Sequence, residues 1–265
     1  MKPWHAYVEG IGLWSAHWPD FAALRTQVRG GNIEASATRP PANRLPANER
    51  RRAPESVLLA VEVAGQAVDM SAADPAQLVC VFASAHGDHV ITDYMCTTLA
   101  RAPTELSPTR FHNSVHNAPA GYWTIVSACH APTTAICAGA ASFAHALLEA
   151  TMQAMADRRK VLLVCSDIAG TGPLNELTDC RQSFGTALLL APAASERSLA
   201  RLDLYVTAGE MPAASASPAS PCKWYTDNAS ANSLPLLAAL AGSGGKVALA
   251  LTPSMYLDVH TEIIP

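Results

Sequence analysis

Cys137 is the residue whose setting best suits chemistry. It lies within residues 127–155, Ser-Ala-Cys-His-Ala-Pro-Thr-Thr-Ala-Ile-Cys-Ala-Gly-Ala-Ala-Ser-Phe-Ala-His-Ala-Leu-Leu-Glu-Ala-Thr-Met-Gln-Ala-Met. The spacing predicts a short strand over 133–136, a tight Cys-Ala-Gly turn, and then a helix. Phe143, Leu147, Leu148, Met152 and Met155 recur at helical intervals and define an apolar face. A thiol where strand becomes helix meets unsatisfied backbone N–H groups and the positive end of the helix dipole. Both favour the thiolate, which is the nucleophilic form. Packing is the competing role, because a Cys at a tight turn also behaves as a small hydrophobe.

The other polar candidates each carry two readings. His112 and His116 lie four apart and share a face if their segment is helical. They could line a pocket or bind a metal, but no third ligand is spaced to join them, so capping or packing competes. His130 and His145 read as structural for the same reason. Asn113 and Asn117 can cap helices or satisfy loop carbonyls, or face a pocket. Arg44, Arg50, Arg51 and Arg52 form the basic cluster of the chain, either a solvated face or a dock for an acidic protein. Gly-Ser-Gly-Gly at 242–245 lacks the lysine and the strand-to-helix order of a phosphate loop, and reads as a turn.

Bulk properties narrow the class. A chain of 265 residues, 49% hydrophobic, can bury a substantial core. Its net charge of −4 argues against nucleic-acid binding. Seven Cys with no C-x-x-C pair argue against disulfide staples and a zinc site, and point to reduced thiols and a cytoplasmic protein. There is no secretory h-region and no run long enough to span a membrane. No cofactor motif is present, so none is expected.

The elements that must position Cys137 follow in order. An opening strand at 6–14 ends in a glycine turn, and 18–28 reads as helix. Residues 30–52 are polar and Pro-rich, hence largely loop. A long apolar helix at 55–70 is expected to be buried. Strands are expected at 78–84, 160–166, 183–192 and within 196–209, with a helix at 90–100. Strands alternating with helices predict a layered α/β domain with a mostly parallel sheet. Residues 1–210 read as this domain. Residues 211–265 read as a Pro/Ala/Ser-rich linker over 211–221, then a short helix at 234–241, a turn, and a strand at 246–252.

Thr-Thr-Ala-Ile-Cys-Ala-Gly-Ala-Ala-Ser-Phe resembles the nucleophile elbow of β-ketoacyl synthases, condensing enzymes of the thiolase fold. The Cys-Ala-Gly form resembles their non-condensing partners, the chain-length factors, as does Ser-Pro-Thr…Ser-Val-His-Asn-Ala…Ala-Gly over 107–121. The resemblance covers residues 6–209. It implies the first, N-terminal half of a ketosynthase of thiolase-like layered fold, with a truncated and divergent C-terminal part. The second half, which in the family supplies the decarboxylating His residues, has no counterpart here.

On this resemblance the chain is expected to be a non-condensing chain-length factor. It would pair with a full β-ketoacyl-ACP synthase, or with itself, and meet an acyl-carrier protein during fatty-acid, polyketide or polyene elongation. The family's dimer strand corresponds to Thr133, Thr134, Ala135 and Ile136. The alternative is an acyltransferase or condensing enzyme using Cys137. A third reading is a scaffold that binds carrier protein without shaping a product.

Overall fold

The computed structural model describes residues 3–33, 38–212 and 227–265. The first half of the chain supplies strand β1 (Trp4–Ser15), helices α1 (Phe21–Val28), α2 (Ala47–Arg52) and α3 (Glu55–Ser71), strand β2 (Val79–Ala83), and helices α4 (His89–Arg101), α5 (Pro108–His112) and α6 (Ala118–Val126). The rest supplies β3 (Thr133–Ile136), α7 (Ser142–Asp157), β4 (Val161–Asp167), α8 (Gly172–Thr178), β5 (Phe184–Ala191), β6 (Ala200–Ala208), α9 (Leu234–Ala241), β7 (Gly245–Thr252) and β8 (Met255–Ile263).

All eight of these strands form one sheet in the order β3-β2-β4-β5-β1-β6-β8-β7. β2 is parallel to both β3 and β4. Every other neighbouring pair is antiparallel. The expectation of a mostly parallel sheet is therefore corrected. Only β7 and β8 are joined by a short hairpin; β1 lies antiparallel between β5 and β6, and β8 between β6 and β7, so strands close in the sheet are mostly distant in sequence. β4 and β5 are buried along their whole length, as their unbroken apolar runs require.

α3 lies on one face of the sheet, and α7 and α9 on the other. Two apolar clusters result, one holding Leu188, Phe143 and Leu237, the other Leu162, Leu59 and Trp123. β1 can approach α3 closely because it carries glycine where a side chain would strike the helix backbone. A Cβ on Gly12 would stand 1.9 Å from the Val63 carbonyl oxygen, and one on Gly10 2.0 Å from that of Ala67.

α3 is apolar nearly all round, so sheet contact alone cannot bury it. Its far side is covered by α6 and by residues 38–54. Ala42, Leu45 and Ala53 join its core cluster, and Ala42 N–H donates to Glu62 Oε2 at 2.8 Å. The stretch expected as loop is thus in part α2 and in part a cover for the central helix.

α7 corrects the predicted face. Its buried stripe is Phe143, Leu147, Ala150 and Ala154, while Met152 is exposed and Leu148 only half-buried. Alanines complete the sheet-facing stripe alongside Phe143 and Leu147, while Met152 lies outside. The tail adds a strand that was not expected. β8 pairs along β6 from Ala200↔Ile263 to Ala208↔Met255, and β7 then pairs on β8. Of the expected linker, residues 213–221 lie outside the described residues.

The close β1–α3 approach gives a direct test. Gly12→Ala should destabilise the fold by about 3 kcal/mol, because its methyl cannot enter without displacing helix backbone. Chemical denaturation reads the loss. An unchanged midpoint would contradict the contact.

Candidate active site

β3, β2 and β4 run parallel, so their carboxyl ends reach the same edge of the sheet, where open α/β sheets place their sites. Asp167, 2% exposed, closes β4 there. Its Oδ1 accepts from Ser84 Oγ at 2.7 Å, Ala85 N–H at 2.8 Å and His86 N–H at 3.3 Å. Its Oδ2 accepts from Ser230 Oγ at 2.5 Å. One carboxylate therefore fixes the turn after β2 and draws in the segment leading to α9. Asn228 reinforces this by donating Nδ2 to the Asp167 carbonyl at 2.9 Å and to that of Gln182 at 2.7 Å.

Cys137 follows β3 directly and is exposed. Its Sγ donates to the Ala85 carbonyl oxygen at 3.1 Å, the same turn that Asp167 holds. A 3-10 turn at Gly139–Ala141 separates it from α7, which begins only at Ser142. Dipole stabilisation fades beyond the first helical turn, so the thiol is not at the helix end that the sequence suggested. The partner it has is a carbonyl, which cannot take up a proton as a base.

The other predicted residues fall in different places. α5 stops at His112 and residues 113–117 form turns, so His112 and His116 do not share a helix face. His116 Nε2 bonds the Ser84 carbonyl oxygen at 3.0 Å, close to the Asp167 turn. His112 and Asn117 instead border a groove of about 750 Å³, with Val115, Tyr122 and Ile125. Asn117 occupies the N-cap position of α6, but its side chain makes no capping bond. Asn113 is buried and accepts from Tyr122 Oη at 3.3 Å. His145 bonds the Leu251 carbonyl at 3.0 Å and ties α7 to β7, while His130 is exposed.

On β3 itself, Thr133 and Ala135 are exposed, and Thr134 and Ile136 are half-buried. Cys80 N–H donates to the Pro132 carbonyl and Ser84 N–H to that of Ile136. With Cys80 opposite Thr133, the even-numbered backbone groups of β3 face β2. Those of Thr133 and Ala135 therefore point outward from the sheet edge.

The basic cluster is divided. Arg44 pairs with Asp69 and lies over the Trp123 ring. Arg50 and Arg51 donate to Asn43 and Asn48. Residues 242–245 form the expected turn, with Gly244 and Gly245 at positive φ.

Sequence reasoning missed His86, in the turn after β2, and His89, at the start of α4, whose rings lie 4.9 Å apart. The cluster Ala-His-Gly-Asp-His directly after an apolar strand was the available signal. His89 is buried with its Nδ1 unpartnered, and burial, then the nearby His86, lowers its pKa from the usual 6.5. Burial likewise pushes the Cys80 and Cys180 thiols up to about 12 and raises that of Cys165, so these three are inert. Among the described residues, no group of three His, Cys, Asp or Glu is arranged to hold a metal. No described helix is long and apolar enough to cross a membrane.

A family model, the N-terminal domain of β-ketoacyl synthases, matches residues 25–250. The chain belongs to the β-ketoacyl synthase family. No curated protein matches it. Solved structures of similar fold include the ketosynthase ApeO in complex with its chain length factor ApeC from Xenorhabdus doucetiae. That match has a TM-score of 0.71 at 19% identity, covering 96% of this chain and 98% of that one. The ishigamide ketosynthase/chain length factor matches with a TM-score of 0.73 at 16% identity, over 98% and 99% of the two chains. The AntDE:AntF structure, a type II PKS acyl-carrier protein in complex with its ketosynthase bound to the hexaketide, reaches 0.75 at 12% identity over 100% of each chain. The thiolase-like layered fold expected from the resemblance is the observed one.

Burial of His89 predicts a pH dependence. Its folded pKa lies below that of the unfolded chain, so the unfolded state takes up the proton first as pH falls. This contribution to stability is intact above the unfolded value of 6.5 and is lost as pH drops below it. His89→Gln should therefore flatten the fall in Tm between about pH 7 and 5. An equal fall in wild type and variant would contradict the assignment.

Proposed function

We propose that this chain is a non-condensing, chain-length-factor-type subunit. It pairs through β3 with a full β-ketoacyl-ACP synthase and meets an acyl-carrier protein, in elongation of polyketide or polyene type. The observation that carries the reading is the Cys137 contact. Its thiol proton is directed at the Ala85 carbonyl oxygen, with no base in hydrogen-bond reach among the described residues. Of the histidines around that turn, His116 bonds the Ser84 carbonyl and His89 is buried with a lowered pKa, while His86 is exposed and makes no hydrogen bond to the thiol. Condensation also requires groups that decarboxylate the extender and stabilise an enolate. A thiol held by a carbonyl supplies neither.

The surface beside β3 supports pairing. The strand leaves its outward backbone groups free on the sheet edge, and such an edge is a template for a further strand. On the groove flanking α6, the helix that precedes β3, Val115 is 53% and Ile125 81% exposed. An apolar wall there suits contact with a partner or with a growing acyl chain. The similar structures include ketosynthases in complex with a chain length factor and with an acyl-carrier protein, which fits this reading.

A second reading uses Cys137 as an acyl nucleophile, and its exposure at the carboxyl ends of parallel strands favours it. One experiment separates the two. Purified chain, with and without its ketosynthase, is incubated with malonyl- and acyl-carrier protein. The chain alone should form no ketoacyl product and no thioester adduct by intact mass. Cys137→Ala should leave product formation by the complex nearly intact and cost only about 1 kcal/mol of stability. A thioester adduct that vanishes in the variant, together with lost product, would assign the nucleophile instead.

A further inference from the structure

A second cavity, of about 550 Å³, opens between the end of α2, the start of α4 and α5. Cys137 does not line it, and it shares no lining residue with the groove flanking α6, although its Asn113 bonds Tyr122 of that groove. Its floor is apolar, with Ile91 and Ile168. Two guanidiniums, Arg52 and Arg110, line it. Neither makes an ion pair or a side-chain hydrogen bond with another described residue. Arg110 is held in place all the same, its Cζ 4.0 Å from the Tyr94 ring centre. Tyr94 is in turn fixed at its hydroxyl by Ser107 N–H, at 3.0 Å.

The two carboxylates of the cavity form no ion pair with those guanidiniums. Asp88 accepts from Ser56 Oγ at 2.7 Å and from Ile91 N–H at 2.8 Å, and Glu55 accepts from Ser183 Oγ at 2.9 Å. Asn113 adds an unused donor. It is only 4% exposed and its Oδ1 receives the Tyr122 hydroxyl. That bond orients the amide, and its NH2 has no acceptor among the described residues although the residue lines the cavity. That NH2 is not among the fully buried unpartnered atoms, so a ligand in the cavity can reach it.

Two unpaired guanidiniums, an amide donor and apolar side chains in one cavity have a common complement. We infer that this cavity binds a small organic oxyanion, its phosphate or carboxylate held by Arg52, Arg110 and the Asn113 amide and its apolar part resting on Ile91 and Ile168. Guanidinium–oxyanion bonds are charge-assisted and the stronger for it. The volume falls in the range of small-molecule sites and exceeds what an inorganic ion alone would fill. The inference does not depend on how the chain pairs or on Cys137.

The test is titration of the full chain, followed by NMR with the Asn113 side-chain amide as reporter. The probes are hexyl phosphate, hexanoate, inorganic phosphate and hexanol. Hexyl phosphate or hexanoate should shift the Asn113 NH2 signals and bind at least about tenfold more tightly than hexanol. Inorganic phosphate alone should bind more weakly than its hexyl ester, which separates an organic ligand from a free ion. Arg52→Gln with Arg110→Gln should remove at least about tenfold of the affinity for both organic anions and leave hexanol binding unchanged. Thermal unfolding of that variant should match wild type, since both side chains lie at the surface. Equal binding of hexanol and the anions, anion binding that survives the double substitution, or no binding by any probe would overturn the site.

Discussion

A single buried carboxylate organises the chemical end of this molecule. Among the described residues, Asp167 has no cationic partner in its hydrogen-bond shell. It is stabilised by donors from the turn after β2 and by Ser230 from a distant part of the chain. A carboxylate in such a place is tolerable only if its lone pairs are filled, and each donor it serves would be left unsatisfied without it. The turn it holds presents the Ala85 carbonyl to Cys137 and the Ser84 carbonyl to His116. Asp167 thus holds the turn whose Ala85 carbonyl accepts from the exposed Cys137 thiol, without touching that thiol.

The second constraint is the burial of α3. A helix apolar on every side needs cover on every side. β1 supplies one side by giving up side chains at Gly10 and Gly12, and residues 38–54 with α6 supply the other. The sheet is extended by β6, β8 and β7, so Leu202, Leu257 and Val259 share one core with the first strand. This chain covers α3 with its own loop and α6, and fills the core on the opposite face of the sheet with its own tail. The edge that remains open, on the side of the chemistry, is β3.

Much of this was legible in the residues. The unbroken apolar runs of β4 and β5 and the Cys-Ala-Gly turn after Thr-Thr-Ala-Ile announced the elements and the elbow. β8 was also written there, as the alternation of Leu257, Val259 and Thr261 with polar neighbours, but its partner β6 is distant in sequence. Strand direction was not readable, because apolar runs look alike in parallel and antiparallel strands. The α7 face misled because its buried stripe is built partly of alanine, so large residues did not mark the core side. Asp167 escaped notice for a different reason. Its role rests on donors from Ser84, Ala85, His86 and Ser230, and only the fold brings those together.

The functional account rests on the open edge of β3, where the Ala135 N–H faces away from β2. Replacing Ala135 with Pro removes that outward donor and leaves the β2 ladder intact, since an edge strand accommodates proline on its free side. The decisive measurement is the affinity of this variant for the co-expressed β-ketoacyl-ACP synthase, beside its thermal unfolding. The account predicts unfolding close to that of wild type and an affinity reduced at least about tenfold. A folded Ala135→Pro chain that binds the synthase with unchanged affinity would contradict it.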